Sequence, residues 1–271
     1  MTHKINKTHL LLILLIFLCI SIYIYTHPLT YSIDRDGYMI VPNVLSHKEC
    51  NNLLKIIKIA KKKKMPMGNI HSTNHREDRM IYVTDVDRYI KKIIKKTSHM
   101  WKRTLGNNPL ICECSSLLSY PGSVNQIWHT DTNFAKNDAQ LMSIGIALED
   151  ITEDMGPLHV FKGSHKMYKK DLLTIYNNNN ININKCSLKE KGLCAQYISK
   201  ACEIKGYKLV KCVAKKGDLV AWKSSIVHRG SGNISNKVRP VFYFSLLNTN
   251  GNPPLGSTYS LSSKQIHIND L

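Results

Sequence analysis

The chain has 271 residues, 43% of them hydrophobic, enough for one sizeable core with room for an anchor or an insertion. Its formal charge of +19 invites a nucleic-acid partner, but lysine is spread along the chain, and the dense run Lys61 to Lys64 follows a predicted helix end, where the backbone dipole favours cations. Nucleic acid is therefore not expected, and an AT-rich coding sequence accounts for the abundance of Lys, Asn and Ile, including the tract Asn177 to Asn180.

In chain order, residues 1–9 carry His3, Lys4 and Lys7 and precede an apolar run, Leu10 to Tyr25, interrupted only by Ser21. That run is at the short limit of a membrane span. Without a small-x-small cleavage site after it, an uncleaved transmembrane signal anchor is expected over residues 10–25 in preference to a cleaved signal peptide. Basic residues before it and Asp34 and Asp36 after it place residues 1–9 in the cytosol and the rest of a single-pass protein on the luminal or outer side.

Tyr38 to Val41 reads as a strand, and Ser46 with Glu49 as a capping box that opens a helix with Cys50, Leu53, Leu54, Ile57 and Ala60 on one face. A second helix is expected around Tyr89 to Trp101, its stripe formed by Ile90, Ile93, Ile94 and Trp101. Short strands follow at Leu110 to Ser119, Gln126 to Asp131, Leu141 to Leu148, Leu158 to Phe161, Leu209 to Val213, Leu219 to Trp222, Ile226 to Arg229 and Val238 to Leu247. Short β runs separated by Gly, Pro, Asn and Asp predict a mainly β chain with flanking helices, folded as a two-sheet barrel or jelly roll.

Between the fourth and fifth of these strands, residues 167–207 form an insertion with no helical or strand period. Cys186, Cys194 and Cys202 lie in it and Cys212 just beyond. Their spacing lacks the close pairs of a zinc module, so disulfides in an oxidising lumen are favoured over free thiols. Asn233-Ile-Ser235 is a sequon, and residues 249–271 form a polar tail.

The chemistry-bearing feature is His129, Asp131 and His228, followed by Arg239. In an extended segment His129 and Asp131 leave the same face and can bind one ion. A second imidazole completes a two-His-one-carboxylate face that leaves positions open on Fe(II) for cosubstrate and dioxygen, although zinc suits the same donors. Arg239 stands at the start of an apolar run, where a guanidinium needs an anionic partner such as a bound carboxylate.

The segment Asp36-Gly-Tyr-Met-Ile-Val-Pro-Asn-Val-Leu-Ser46, the turn Tyr120-Pro-Gly-Ser, Trp128-His-Thr-Asp131, the stretch Ala147 to Lys166 and the set His228, Asn233, Ser235 and Arg239 resemble the phytanoyl-CoA dioxygenase family of iron(II)/2-oxoglutarate oxygenases. The resemblance covers roughly residues 33–166 and 209–247 and implies a domain over 30–248. It implies a double-stranded β-helix, a jelly-roll or cupin-like barrel, with the first two ligands on its second strand and the third on its seventh.

By the same resemblance His129, Asp131 and His228 bind Fe(2+) and are the catalytic residues, Arg239 pairs with 2-oxoglutarate, and Gln126 and Tyr120 are further cosubstrate candidates. Ser119-Tyr120 departs from the Lys-Pro of many relatives, and Met155 from a frequent Asn. The implied activity is a membrane-anchored dioxygenase that uses O2 to hydroxylate an organic substrate, with release of succinate and CO2. That substrate is a lipid or acyl group, a small metabolite, a glycan or a protein side chain. A catalytically silent, membrane-tethered binding protein and a zinc-dependent hydrolase on the same barrel are the alternatives. Because Asp131 is kept, hydroxylation rather than halogenation is expected.

Overall fold

The computed structural model describes residues 15–16, 33–62, 75–131, 141–167, 174, 178, 191–248 and 266–271. Strand β1 (Tyr38–Val41) leads into helix α1 (His47–Ile59), capped as expected: Ser46 Oγ accepts from the Glu49 amide, and the Glu49 carboxylate accepts from the Ser46 amide. After β2 (Arg76–Met80) comes helix α2 (Val83–Leu105), longer at both ends than its central apolar stripe announced. The remaining elements are β3 (Leu110–Ser119), β4 (Leu141–Ala147), β5 (Leu158–Phe161), α3 (Lys191–Ile204), β6 (Leu209–Cys212), β7 (Leu219–Lys223), β8 (His228–Gly230), β9 (Arg239–Leu247) and β10 (Ile266–His267).

The strands form a seven-stranded antiparallel sheet in the order β1-β7-β4-β9-β3-β10, with β2 also on β3, and a three-stranded sheet β6-β5-β8. Strand alternation divides the large sheet into two faces. Phe242, Phe244, Leu246, Ile144 and Ile146 join Leu53 and Ile57 of α1 and Ile90, Ile93 and Trp101 of α2 in the main core. The opposite face meets the small sheet through Val220, Val160 and Ile226, with Trp222 and Val241 packed against them. Two facing sheets with helices behind the larger one make the expected cupin-like barrel.

The transmembrane helix is corrected. Among the described residues no helix is long and apolar enough to cross a membrane, and of the apolar run only Leu15 and Ile16 are described; the rest of it, with residues 1–9, lies outside them. A run of about 16 residues falls short of the roughly 20 that a bilayer core requires. The single-pass topology, with its cytosolic N-terminus and luminal or exterior domain, is withdrawn with it.

Three smaller expectations change as well. Within the insertion, α3 sets Tyr197 and Ala201, and Ile198 and Cys202, four residues apart against Phe161, Met167 and Val227 on the outer side of the small sheet. Cys202 and Cys212 are buried free thiols, each pushed up to about 12 by burial, whereas Cys186 lies outside the described residues. The polar tail ends in order: Ile266 and His267 pair with Ile111 and Leu110 of β3.

Candidate functional site

The segment 126–131 does not join a ladder as the expected strand. It runs beside β8, bridging it at His129↔His228, while the Gln126 amide donates to Gly230 O and the Asp131 amide to Ser224 O. These anchors fix its direction, so alternation sends His129 and Asp131 inward and Trp128 outward. There Trp128 packs 4.7 Å from the Phe161 ring and under the Arg229 guanidinium at 4.4 Å.

One ligand atom each from His129, Asp131 and His228 lies within 4.8 Å of the others. Asp131 Oδ1 is 3.9 Å from His129 Nε2 and 3.5 Å from His228 Nε2. Each ring places its other nitrogen on a carbonyl two residues back: His129 Nδ1 on Ile127 O at 2.8 Å, and His228 Nδ1 on Ile226 O at 3.0 Å. A carbonyl only accepts, so Nδ1 carries the proton in both neutral rings and Nε2 offers its lone pair toward Asp131. That is the tautomer a metal requires, with the backbone holding ring orientation. Two imidazole nitrogens and one carboxylate oxygen fit a divalent first-row metal.

Asp131 Oδ2 is held from behind by Trp222 Nε1 at 3.1 Å and Ser143 Oγ at 3.3 Å, which leaves Oδ1 to the histidines. Burial pushes this carboxyl up, but the charges of His228 and His129 and the Trp222 bond outweigh it and hold it well below the usual carboxylate range. For His228, burial favours the neutral ring, and the Asp131 carboxylate reverses the balance and raises its pKa. Trp222 and Ser143 carry no motif of their own, and only the β4–β7 pairing Ser143↔Trp222 brings them together. Trp222→Phe should lower metal affinity by about 10- to 100-fold without loss of fold, as supporting bonds behind a ligand generally do. Metal titration of the purified variant reads this directly, and an unchanged affinity would deny Trp222 its orienting role.

Arg239 is 3% exposed and donates Nη2 to Ser119 Oγ at 2.8 Å, while its Nε and Nη1 have no partner among the described residues. Burial, then repulsion from Arg76, pulls its pKa down to about 9. It borders the metal-ligand group at Gly230, where a Cβ would stand 2.7 Å from Gln126 Oε1 and 3.5 Å from Arg239 Nη2. Gly230 is thus the residue that lets the Gln126 side chain close on the strand of His228, with Arg239 in ordinary contact distance beside it. Gln126 accepts from the Gly230 amide at 2.7 Å and lies beside Arg239. Tyr120, one residue past Ser119, is part-buried and packs against the main core. Asn233 is fully buried and donates Nδ2 to Ser119 O and Lys237 O, so the sequon side chain is a turn brace, inaccessible to glycosylation.

A family model described as phytanoyl-CoA dioxygenase (PhyH) matches residues 33–241. Among solved structures, the chain is similar to the epimerase SnoN in complex with Fe3+, alpha ketoglutarate and nogalamycin RO. The TM-score is 0.61 at 14% identity, over 89% of this chain and 98% of that one. It is similar to HygX from Streptomyces hygroscopicus with nickel and 2-oxoglutarate bound, with a TM-score of 0.53 at 13% identity over 82% and 87% of the two chains. EctD from S. alaskensis with bound Fe gives a TM-score of 0.51 at 17% identity over 87% and 80%. At these identities the structural likeness establishes the fold alone. No curated protein sequence matches the chain.

Proposed function

Because the chain belongs to the phytanoyl-CoA dioxygenase family of iron- and 2-oxoglutarate-dependent oxygenases, we propose that it hydroxylates a C–H bond of a polar small molecule. The observation that carries this reading is the convergence of His129 Nε2, Asp131 Oδ1 and His228 Nε2, with the buried Arg239 bordering the strand of His228 at Gly230 and two of its nitrogens without a partner among the described residues. His129, Asp131 and His228 would hold Fe(2+), and Arg239 would take the distal carboxylate of 2-oxoglutarate through its planar fork. Iron and 2-oxoglutarate, when bound, supply activation of O2 with release of succinate and CO2.

The protein contributes orientation and charge. Trp222 and Ser143 keep one carboxylate oxygen turned away, so Asp131 has one oxygen left for the ion. Gln126 ties its own segment to β8 through the Gly230 amide and so fixes the spacing between the histidine pair and Arg239.

The sheet face beside Asp131 supports a polar substrate. Ser143 and Ser245 hydroxyls stand 3.3 Å apart, Ser245 reaches Glu113 at 3.3 Å, and Tyr243 donates to Asp78 at 3.2 Å. A long acyl chain would lay hydrocarbon against this hydrogen-bonded row of hydroxyls and carboxylates, whereas hydroxyl- or amine-bearing molecules would add hydrogen bonds to it.

Succinate formation from 2-oxoglutarate by the purified chain with Fe(II) and O2, stimulated by polar small molecules, is the expected result. A non-catalytic binding protein gives no succinate under any metal. A hydrolase gives turnover with zinc and none that depends on 2-oxoglutarate.

A further inference from the structure

His129 and His228 bond amide to carbonyl in both directions, which makes them a regular antiparallel pair between the two ligand-bearing segments. A ladder continued through that pair would bond Ile127 with Gly230 and Asp131 with Ile226. Instead the Gln126 amide donates to Gly230 O and the Asp131 amide to Ser224 O, so the pairing slips on both sides of the bridge. Backbone bonds therefore leave the register of 126–131 resting on one residue pair. A slip of one residue sends side chains to the opposite face, and the ligand set would come apart.

The outward neighbours of the two histidines supply the missing constraint. Trp128 precedes His129, Arg229 follows His228, and the Arg229 guanidinium lies 4.4 Å from the centroid of the Trp128 ring. The same ring stands 4.7 Å from that of Phe161, whose amide donates to Val227 O just before His228. Helix α3 adds to this from outside, where Ala201 and Cys202 share one apolar cluster with Phe161, Val227 and Trp128. Arg229 is partly buried and its Nε has no partner among the described residues. A guanidinium nitrogen without an acceptor is unfavourable, so contact with the indole face is what retains the side chain there.

We infer that Arg229, acting through Trp128, is a positioning residue of the metal centre. The pair locks 126–131 in register on β8, so that His129 and Asp131 face His228, and α3 backs the lock from outside. The described part of the insertion thereby serves the site without contributing a ligand. This role presupposes that the triad holds a metal, as proposed above.

The test titrates the metal-free full chain with Co(II), whose visible absorption reports the ligands around it, in the native protein and in Arg229→Lys, Arg229→Met, Trp128→Leu and the double variant Arg229→Met with Trp128→Leu. Arg229→Met keeps the apolar stem and loses the charge over the ring. It should bind Co(II) about tenfold more weakly and with altered absorption bands, as loss of support behind ligands does, while its Tm stays near the native value. Arg229→Lys, whose ammonium can still lie over the indole, should recover most of that loss. The double variant should bind Co(II) no more weakly than Trp128→Leu alone, because the two side chains act as one unit. Native Co(II) affinity and bands in Arg229→Met, whether or not its Tm falls, would reduce Arg229 to packing and overturn the inference, as would equal weakening by Lys and Met. A native chain that binds Co(II) no better than one lacking both His129 and His228 would instead sink the metal reading, and this role with it.

Discussion

Asp131→Ala should leave the purified chain with far less than one iron per molecule and abolish succinate formation. The change removes Oδ1, the atom that faces both histidine Nε2 atoms at 3.9 and 3.5 Å, and strands Trp222 Nε1 and Ser143 Oγ without their acceptor. Losing a supporting hydrogen bond behind a ligand costs about 10- to 100-fold in affinity or activity, so losing the ligand itself should exceed roughly 100-fold. Asp131→Asn separates chemistry from folding: the amide keeps the shape and can still accept from Trp222, but it brings no charge to the ion. Its melting temperature should stay near the native value while metal and activity fall. Metal content and succinate production that both survive the combined loss of His129 and His228 would show that the site lies elsewhere.

Arg239→Ala should weaken 2-oxoglutarate binding by well over tenfold with iron content intact, since no ligand atom belongs to this residue. Loss of a buried charge-assisted pair costs about 2 to 5 kcal/mol, and each 1.4 kcal/mol is about tenfold in Kd. Arg239 is buried, and two of its nitrogens have no partner among the described residues. The variant should therefore bind cosubstrate poorly without a matching loss of stability. Calorimetric titration of the Fe(II)-loaded, oxygen-free variant with 2-oxoglutarate measures this, and an unchanged Kd would move the carboxylate clamp to other residues.

Local pattern carried much of the site. His129 and Asp131 stand two residues apart, and an extended backbone sends both to one face whatever the rest of the chain does; the structure adds the bridge to His228 that closes the set. Short β runs bounded by Gly, Pro, Asn and Asp made β3, β4 and β9 legible, and a capping box with apolar residues at helical spacing made α1 legible. Arg239 was readable because a charge opening an apolar strand demands a partner.

Other elements had no local signature. Strand β2, Arg-Glu-Asp-Arg-Met, shows no alternation, and it is a strand because it pairs with β3. Helix α3 has only a weak apolar stripe and is held by the outer face of the small sheet. The reverse error came from Leu10 to Tyr25, where hydrophobicity alone predicted a span that no described helix provides.

The sequence by itself named the three candidate ligand side chains that the structure brings together, the mainly β barrel class and Arg239 as the candidate cosubstrate arginine, through residue chemistry, short β runs and a family resemblance. Tertiary structure alone decided which groups stand behind and beside them. Trp222 and Ser143 reach Asp131 through the β4–β7 register, and Arg76 reaches Arg239 through two successive strand pairings that span residues 76 to 239. Such neighbours are set by long-range register, and register is fixed by which faces of the sheets are buried together, a property no local window of the chain contains.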